Sequence, residues 1–175
     1  MKRKLYILQF IGFIFTGLAG TLLHFLYEWS NYNVQFAPFS SVNESTWEHM
    51  KLLFFPLIVF ALIQSRFLKK YENFWWIKLI GTAVGLISIP VLFYTYNGVF
   101  GKSPSWVNIV IFFIAAAITF ILETLLFKNE VLYFTKQWIP FVIICLIGVM
   151  FISFTFNTPE LPLFQDPLTG KYGIK

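Results

Sequence analysis

The sequence predicts an all-α fold: a polytopic membrane bundle of five transmembrane helices, amino terminus in the cytoplasm and carboxy terminus outside. Three observations point there. The 175 residues are 58% hydrophobic and only 12% charged, with a mean hydropathy of +0.72. Soluble domains are about 45–50% apolar and about 25% charged. The apolar residues fall in uninterrupted runs near the ~20 residues that cross about 30 Å of hydrocarbon. They do not alternate as transmembrane strands would, and a helical bundle satisfies its backbone in lipid without that alternation. The length suits one domain.

The first run spans about 6–27 and follows the basic start Met1-Lys2-Arg3-Lys4. It outlasts the h-region of a signal peptide and reads as a retained helix. The second, about 52–68, contains Pro56 and ends beside Arg66, which can snorkel. The third, about 75–96, carries Pro90 and the pair Gly81-Thr-Ala-Val-Gly85, a spacing that permits close helix approach. The fourth covers about 107–127 and the fifth about 138–156. An outer loop, 28–51, and an outer tail, 157–175, complete a single membrane domain.

Orientation follows from Lys and Arg. With the amino terminus inside, nine fall on the inner side (Lys2, Arg3, Lys4, Arg66, Lys69, Lys70, Lys78, Lys128 and Lys136) and four outside (Lys51, Lys102, Lys171 and Lys175). This distribution accounts for the net charge of +5 by topology, so no nucleic-acid partner is implied. Trp29, Trp47, Trp75, Trp76, Trp106 and Trp138 all fall at span ends, as an interfacial aromatic belt requires.

Five of the eight acidic residues (Glu28, Glu44, Glu48, Glu160 and Asp166) and both histidines belong to the outer face. His24 lies about a turn inside the end of span one, and His49 about a turn before span two. Consecutive antiparallel helices place the two rings at similar depth. His24 and Glu28, four apart, share a helix face. Together His24, Glu28, Glu44, Glu48 and His49 supply enough nitrogen and oxygen for catalysis by acid–base chemistry, or for one Zn²⁺ with an open water position. His24, His49 and Glu44 form the candidate metal set, with a spare Glu as base. Trp47 would pack on substrate or the membrane interface. The apolar, turn-rich tail would fold back as a lid, bringing Asp166 or Tyr172 near the histidines.

A structural account of the same residues competes. Ser41-Val-Asn-Glu44 and Ser45-Thr-Trp-Glu48 both match a capping box, Asn43 can cap, and Glu48 with Lys51 can be a surface i,i+3 pair. Glu123, about 6 Å inside span four, serves a bundle contact or an ion path. Cys145, mid-span in apolar company, reads as an inert packing residue. There is no H-E-x-x-H, no G-x-S-x-G and no P-loop, and Asp166, the only Asp, excludes a two-aspartate protease. Both arginines are cytoplasmic, so no Arg clamp on phosphate exists outside.

The stretch Asn43-Glu44-Ser45-Thr46-Trp47-Glu48-His49-Met50-Lys51 resembles the N-E-S-x-W-E-H-x-K signature of a family of small bacterial integral membrane proteins of unknown function. His24-x-x-x-Glu28-Trp29 and Asp166-Pro-Leu-Thr-Gly-Lys-Tyr-Gly are similar to it as well. The resemblance implies a bacterial cell envelope and no particular reaction. The residues themselves point to a multi-pass cell-membrane protein surrounded by lipids, with an extracytoplasmic site for hydrolysis or acyl transfer on a lipid, lipoprotein or peptide. The rivals are a non-catalytic envelope protein that binds a partner through its outer cap, and a small ion or solute transporter using Glu123.

Overall fold

The structure, a computed structural model, describes residues 2–129 and 136–174; Met1 and Lys175, placed above in the basic start and the outer tail, lie outside them. Five helices follow in order: α1 (Lys2–Trp29), α2 (Thr46–Phe67), α3 (Phe74–Phe100), α4 (Ser105–Asn129) and α5 (Trp138–Phe156). A 3₁₀ turn, Pro162–Phe164, sits in the tail. Each long helix has the length and apolar composition to cross a membrane, the pattern of a multi-pass membrane protein. Among the described residues there is no strand, only a bridge between Gln165 and Tyr172.

The helices alternate in direction, so the α1–α2 loop, the α3–α4 turn and the tail share one end of the bundle, here the cap end. α3 and α4 pack closely where α3 has no side chain. A Cβ on Gly81 would lie 2.5 Å from Glu123 Cγ, and Gly85 faces the Thr119 hydroxyl. Those α4 positions are also four apart, so one ridge seats in one groove.

The second helix begins earlier than hydropathy suggests. Ser45 is its N-cap, with Oγ accepting from Glu48 N at 3.4 Å. Asn43 Oδ1 accepts from Ser45 N at 2.9 Å. Glu44 therefore precedes the helix and does not share a helical face with Glu48. The Glu48–Lys51 pair is not on the surface either. Lys51 is wholly buried, its Nζ 2.6 Å from Glu48 Oε2 and donating to Ala37 O and Thr155 Oγ1 at 2.8 and 3.1 Å. Glu48 Oε2 also accepts from Val42 N at 3.0 Å. A charge with this many partners is tolerated in an apolar interior, and here it ties the loop and α5 to α2.

Lys78, counted above among the cytoplasmic flanking charges, is likewise buried, with Nζ 2.5 Å from Glu123 Oε2. Cys145 is exposed on α5, so it faces the surroundings of the bundle rather than its packing. The tail does fold back. Phe164 packs on Trp47 at 4.6 Å between ring centroids, and Trp47 on Phe151 at 4.5 Å. Burying one such ring stabilises by about 1.5–3 kcal/mol, and Asn43 Nδ2 donates to Gly173 O at 3.1 Å to close the cap.

Candidate functional site

His24 projects from the last turns of α1, and Ser40 shapes that turn. Tyr27 N donates to Ser40 Oγ at 2.8 Å, and Ser40 Oγ donates to Leu23 O at 2.5 Å. The hydroxyl thus stands inside the helical ladder, between a donor and the carbonyl four residues before it, a known cause of local bending. The same bonds draw the 30–45 loop back over α1 and bring Glu44 to His24.

His49 lies in the first turn of α2. Its Nδ1 donates to the Ser45 carbonyl at 2.9 Å, which fixes the tautomer and leaves Nε2 as the free acceptor. That Nε2 is 3.6 Å from Glu44 Oε2, and His24 Nε2 is 3.4 Å from Glu44 Oε1. The imidazole centroids are 5.6 Å apart. One ligand atom each from His24, Glu44 and His49 lies within 4.8 Å of the others. An imidazole lone pair facing a carboxylate is repelled unless a proton or a cation lies between them. Tetrahedral Zn²⁺ with bonds of about 2.0–2.1 Å spaces its ligands about 3.3–3.4 Å apart. The two measured contacts run to different Glu44 oxygens and the three-atom set lies within 4.8 Å, so an ion would have to draw the side chains closer together.

The other candidates are placed differently. Glu28 is exposed at the end of α1, outside the cluster. Glu48 is turned to Lys51 and Val42 N and leaves the histidines. Trp47 is buried in the aromatic stack with Phe151 and Phe164. Asp166 organises its own turn, accepting from Leu168 N and Thr169 Oγ1 at 2.9 and 2.6 Å. Tyr172 packs against the main core. What the tail brings toward the histidines is Pro167 and Leu168, which the Asp166 turn holds in place.

The cluster opens on a cavity of about 380 Å³, within the usual range for small-ligand sites. One wall is His24, Glu44 and His49; Leu52, Phe93, Ile109, Phe112 and Phe113 make it apolar; Lys102 and Ser103 line it from the α3–α4 turn, and Asn108 from the first turn of α4. Gly20 leaves the space in which Phe112 lies, since a Cβ there would meet that ring at 2.5 Å. A crevice of about 10 Å³, at the lower limit for one water, is shared by Glu44, His49 and Asn108. Sequence reasoning missed Ser40, Lys102 and Asn108. They are polar residues of ordinary loop type, and only the folded cap shows what they face.

A second polar group occupies the opposite end. Glu123 Oε2 also accepts from Gln9 Nε2 at 3.2 Å, and Gln9 Oε1 accepts from Gln64 Nε2 at 2.9 Å, so side chains from α1, α2, α3 and α4 meet in one buried network. None of these four residues lines the cavity beside the histidines.

Five membrane-length helices mark a multi-pass membrane protein, and among the described residues a His/Glu cluster lies beside an amphipathic cavity. Residues 1–174 match the family of unknown function DUF6512, and the chain belongs to it. No curated protein and no solved structure matches the chain.

Proposed function

We propose that the protein is a membrane-embedded, metal-dependent hydrolase that acts on a lipid-borne substrate at the extracytoplasmic face of a bacterial cell membrane. The observation that carries this reading is the convergence of one ligand atom each from His24, His49 and Glu44 within 4.8 Å, beside the cavity. Two His and one Glu are the protein ligands of a well-known class of catalytic zinc site, in which the fourth position holds water. The Ser45 carbonyl on His49 Nδ1 orients that ring, as a hydrogen bond behind a metal-bound imidazole does. The orientation rests on Lys and Arg. Setting aside the buried Lys51 and Lys78 still leaves eight on the inner side against three.

His24, His49 and Glu44 would hold the ion, which would supply an acidified water and polarise the substrate carbonyl. The Glu44 oxygen not used in ligation would take a proton from that water and pass it to the leaving oxygen or nitrogen, as the water oxygen bonds to the ester or amide carbon and the bond from that carbon to the leaving atom breaks. An alcohol or amine in place of water turns the same steps into acyl transfer. Transport through Glu123 has no support in this geometry, because Lys78 pairs with that carboxylate.

Metal analysis of detergent-purified protein tests the reading. Near-stoichiometric zinc is expected in wild type, and loss of most of it in His24→Ala, His49→Ala and Glu44→Gln. Acidification should release it too, since both imidazoles must be unprotonated to ligate. Chelator-free wild type that neither carries nor takes up a divalent ion would end the metallohydrolase reading.

A further inference from the structure

We infer that the cavity selects a glycerophospholipid with a net negative headgroup, held by its phosphate at the α3–α4 turn. The inference deepens the reading above and takes from it that the reacting bond lies at the His24–Glu44–His49 wall. The three kinds of wall are sorted by element. The electron-rich and ion-binding groups come from α1 (His24), the end of the α1–α2 loop (Glu44) and the start of α2 (His49). The apolar surface comes from Phe93 on α3, Ile109, Phe112 and Phe113 on α4, and Leu52 on α2. The third wall, Lys102 with Asn108, offers donors.

Lys102 makes no ion pair among the described residues, and it is the cavity's only lysine or arginine. Asn108 uses its Oδ1 to accept from Ser103 Oγ at 2.8 Å, which orients the amide and leaves Nδ2 as a donor with no partner among the described residues. Ser103 N is in turn fixed by Asn97 Oδ1 at 2.7 Å, so the turn that presents Lys102 is internally braced. A Lys–Asn pair supplies a point charge and a neutral donor, a combination that suits a phosphate without a bidentate arginine.

Distance along the ligand agrees with this layout. Asn108 shares its crevice with Glu44 and His49, so the anion site and the ion-binding wall are neighbours. In a glycerophospholipid the phosphate and the first ester carbonyl are also only a few bonds apart, while the acyl chain continues in one direction as an apolar tail. A soluble phosphate ester would leave the phenylalanine wall uncovered. A neutral diacylglycerol would leave Lys102 and Asn108 Nδ2 without a partner.

The test is binding to the full-length protein in an uncharged maltoside detergent, with dioctanoyl-phosphatidylglycerol, dioctanoylglycerol and inorganic phosphate as probes. The phosphatidylglycerol is expected to bind about tenfold or more tighter than the diacylglycerol, as a charge-assisted contact allows. Lys102→Gln should remove most of that difference and Lys102→Arg should keep it. Equal affinity for the two lipids, or a preference that survives Lys102→Gln, overturns the inference. Inorganic phosphate binding as tightly as the lipid overturns its lipid part. Repeating the titrations in His49→Ala, with metal content measured on each protein, separates the two readings. Charge selectivity without metal sinks only the hydrolase, and metal without charge selectivity sinks only the phospholipid.

Discussion

The two polar centres of this bundle are built from similar residue types and do opposite things. At the end away from the cap, Lys78 and Glu123 neutralise each other in the closed interior, and Gln9 and Gln64 complete a network drawn from four helices. At the cap end, His24 and His49 both turn Nε2 toward Glu44. The first centre pairs its two charges within the chain, although Glu123 Oε1 and Gln64 Oε1 have no hydrogen-bond partner among the described residues and Gln9 also lines a separate cavity of about 460 Å³. The second gathers one ligand atom from each of three residues and has a cavity beside it. A buried ion pair holds helices together, whereas ligand atoms gathered beside a cavity can take a ligand.

The comparison breaks most visibly at the closed centre. Lys78→Met strands a buried carboxylate and should cost about 3–5 kcal/mol, read as a lowered unfolding midpoint in detergent. Adding Glu123→Leu should restore most of that loss; a double variant as unstable as the single would mean that the glutamine network, not the ion pair, holds the helices. Next in size is Gly81→Ala, whose new methyl must displace Glu123 and should cost about 1–3 kcal/mol. On the same helix Gly98 has nothing within 4 Å of a Cβ, so Gly98→Ala should be neutral or stabilising by up to about 1 kcal/mol. A similar loss at both glycines would remove the close-packing account. The smallest stability effects belong to the open centre, where His24→Ala and His49→Ala should each shift unfolding by under about 1 kcal/mol. A large destabilisation by either, measured on metal-free protein, would make the histidines structural and erase the contrast.

Much of the frame was legible in the chain. Five apolar runs became five helices because lipid-length burial leaves the backbone little choice. The boundary errors share one cause. The start of α2 was placed too late because Glu48, His49 and Lys51 look like solvent-facing residues to any measure that scores each side chain alone. Only with Lys51 inserted between Ala37 O, Thr155 Oγ1 and Glu48 does that turn become an interior one. Lys78 misled in the same way, by resembling a flanking charge while its partner lay 45 residues away. Within the candidate site, the spacing of His24 and His49 to the ends of antiparallel helices foretold their shared depth. It could not separate Glu44 from Glu28 and Glu48, since all three are carboxylates within a turn or so of a histidine.

What the sequence alone determined is the class: an all-helical chain with five membrane-length helices, with five of its eight acids and both histidines gathered at one end. Local hydropathy and helix periodicity suffice for that, because each segment's choice depends on its own residues and on the length of its apolar run. The tertiary structure decided which charges are satisfied and which are not. That distinction rests on pairings between residues far apart in sequence, such as Gln9 with Glu123 or Ser40 with the Leu23–Tyr27 turn. An ion pair, a cap and an open ligand set are made of the same side chains, and only the distances between them tell one from another.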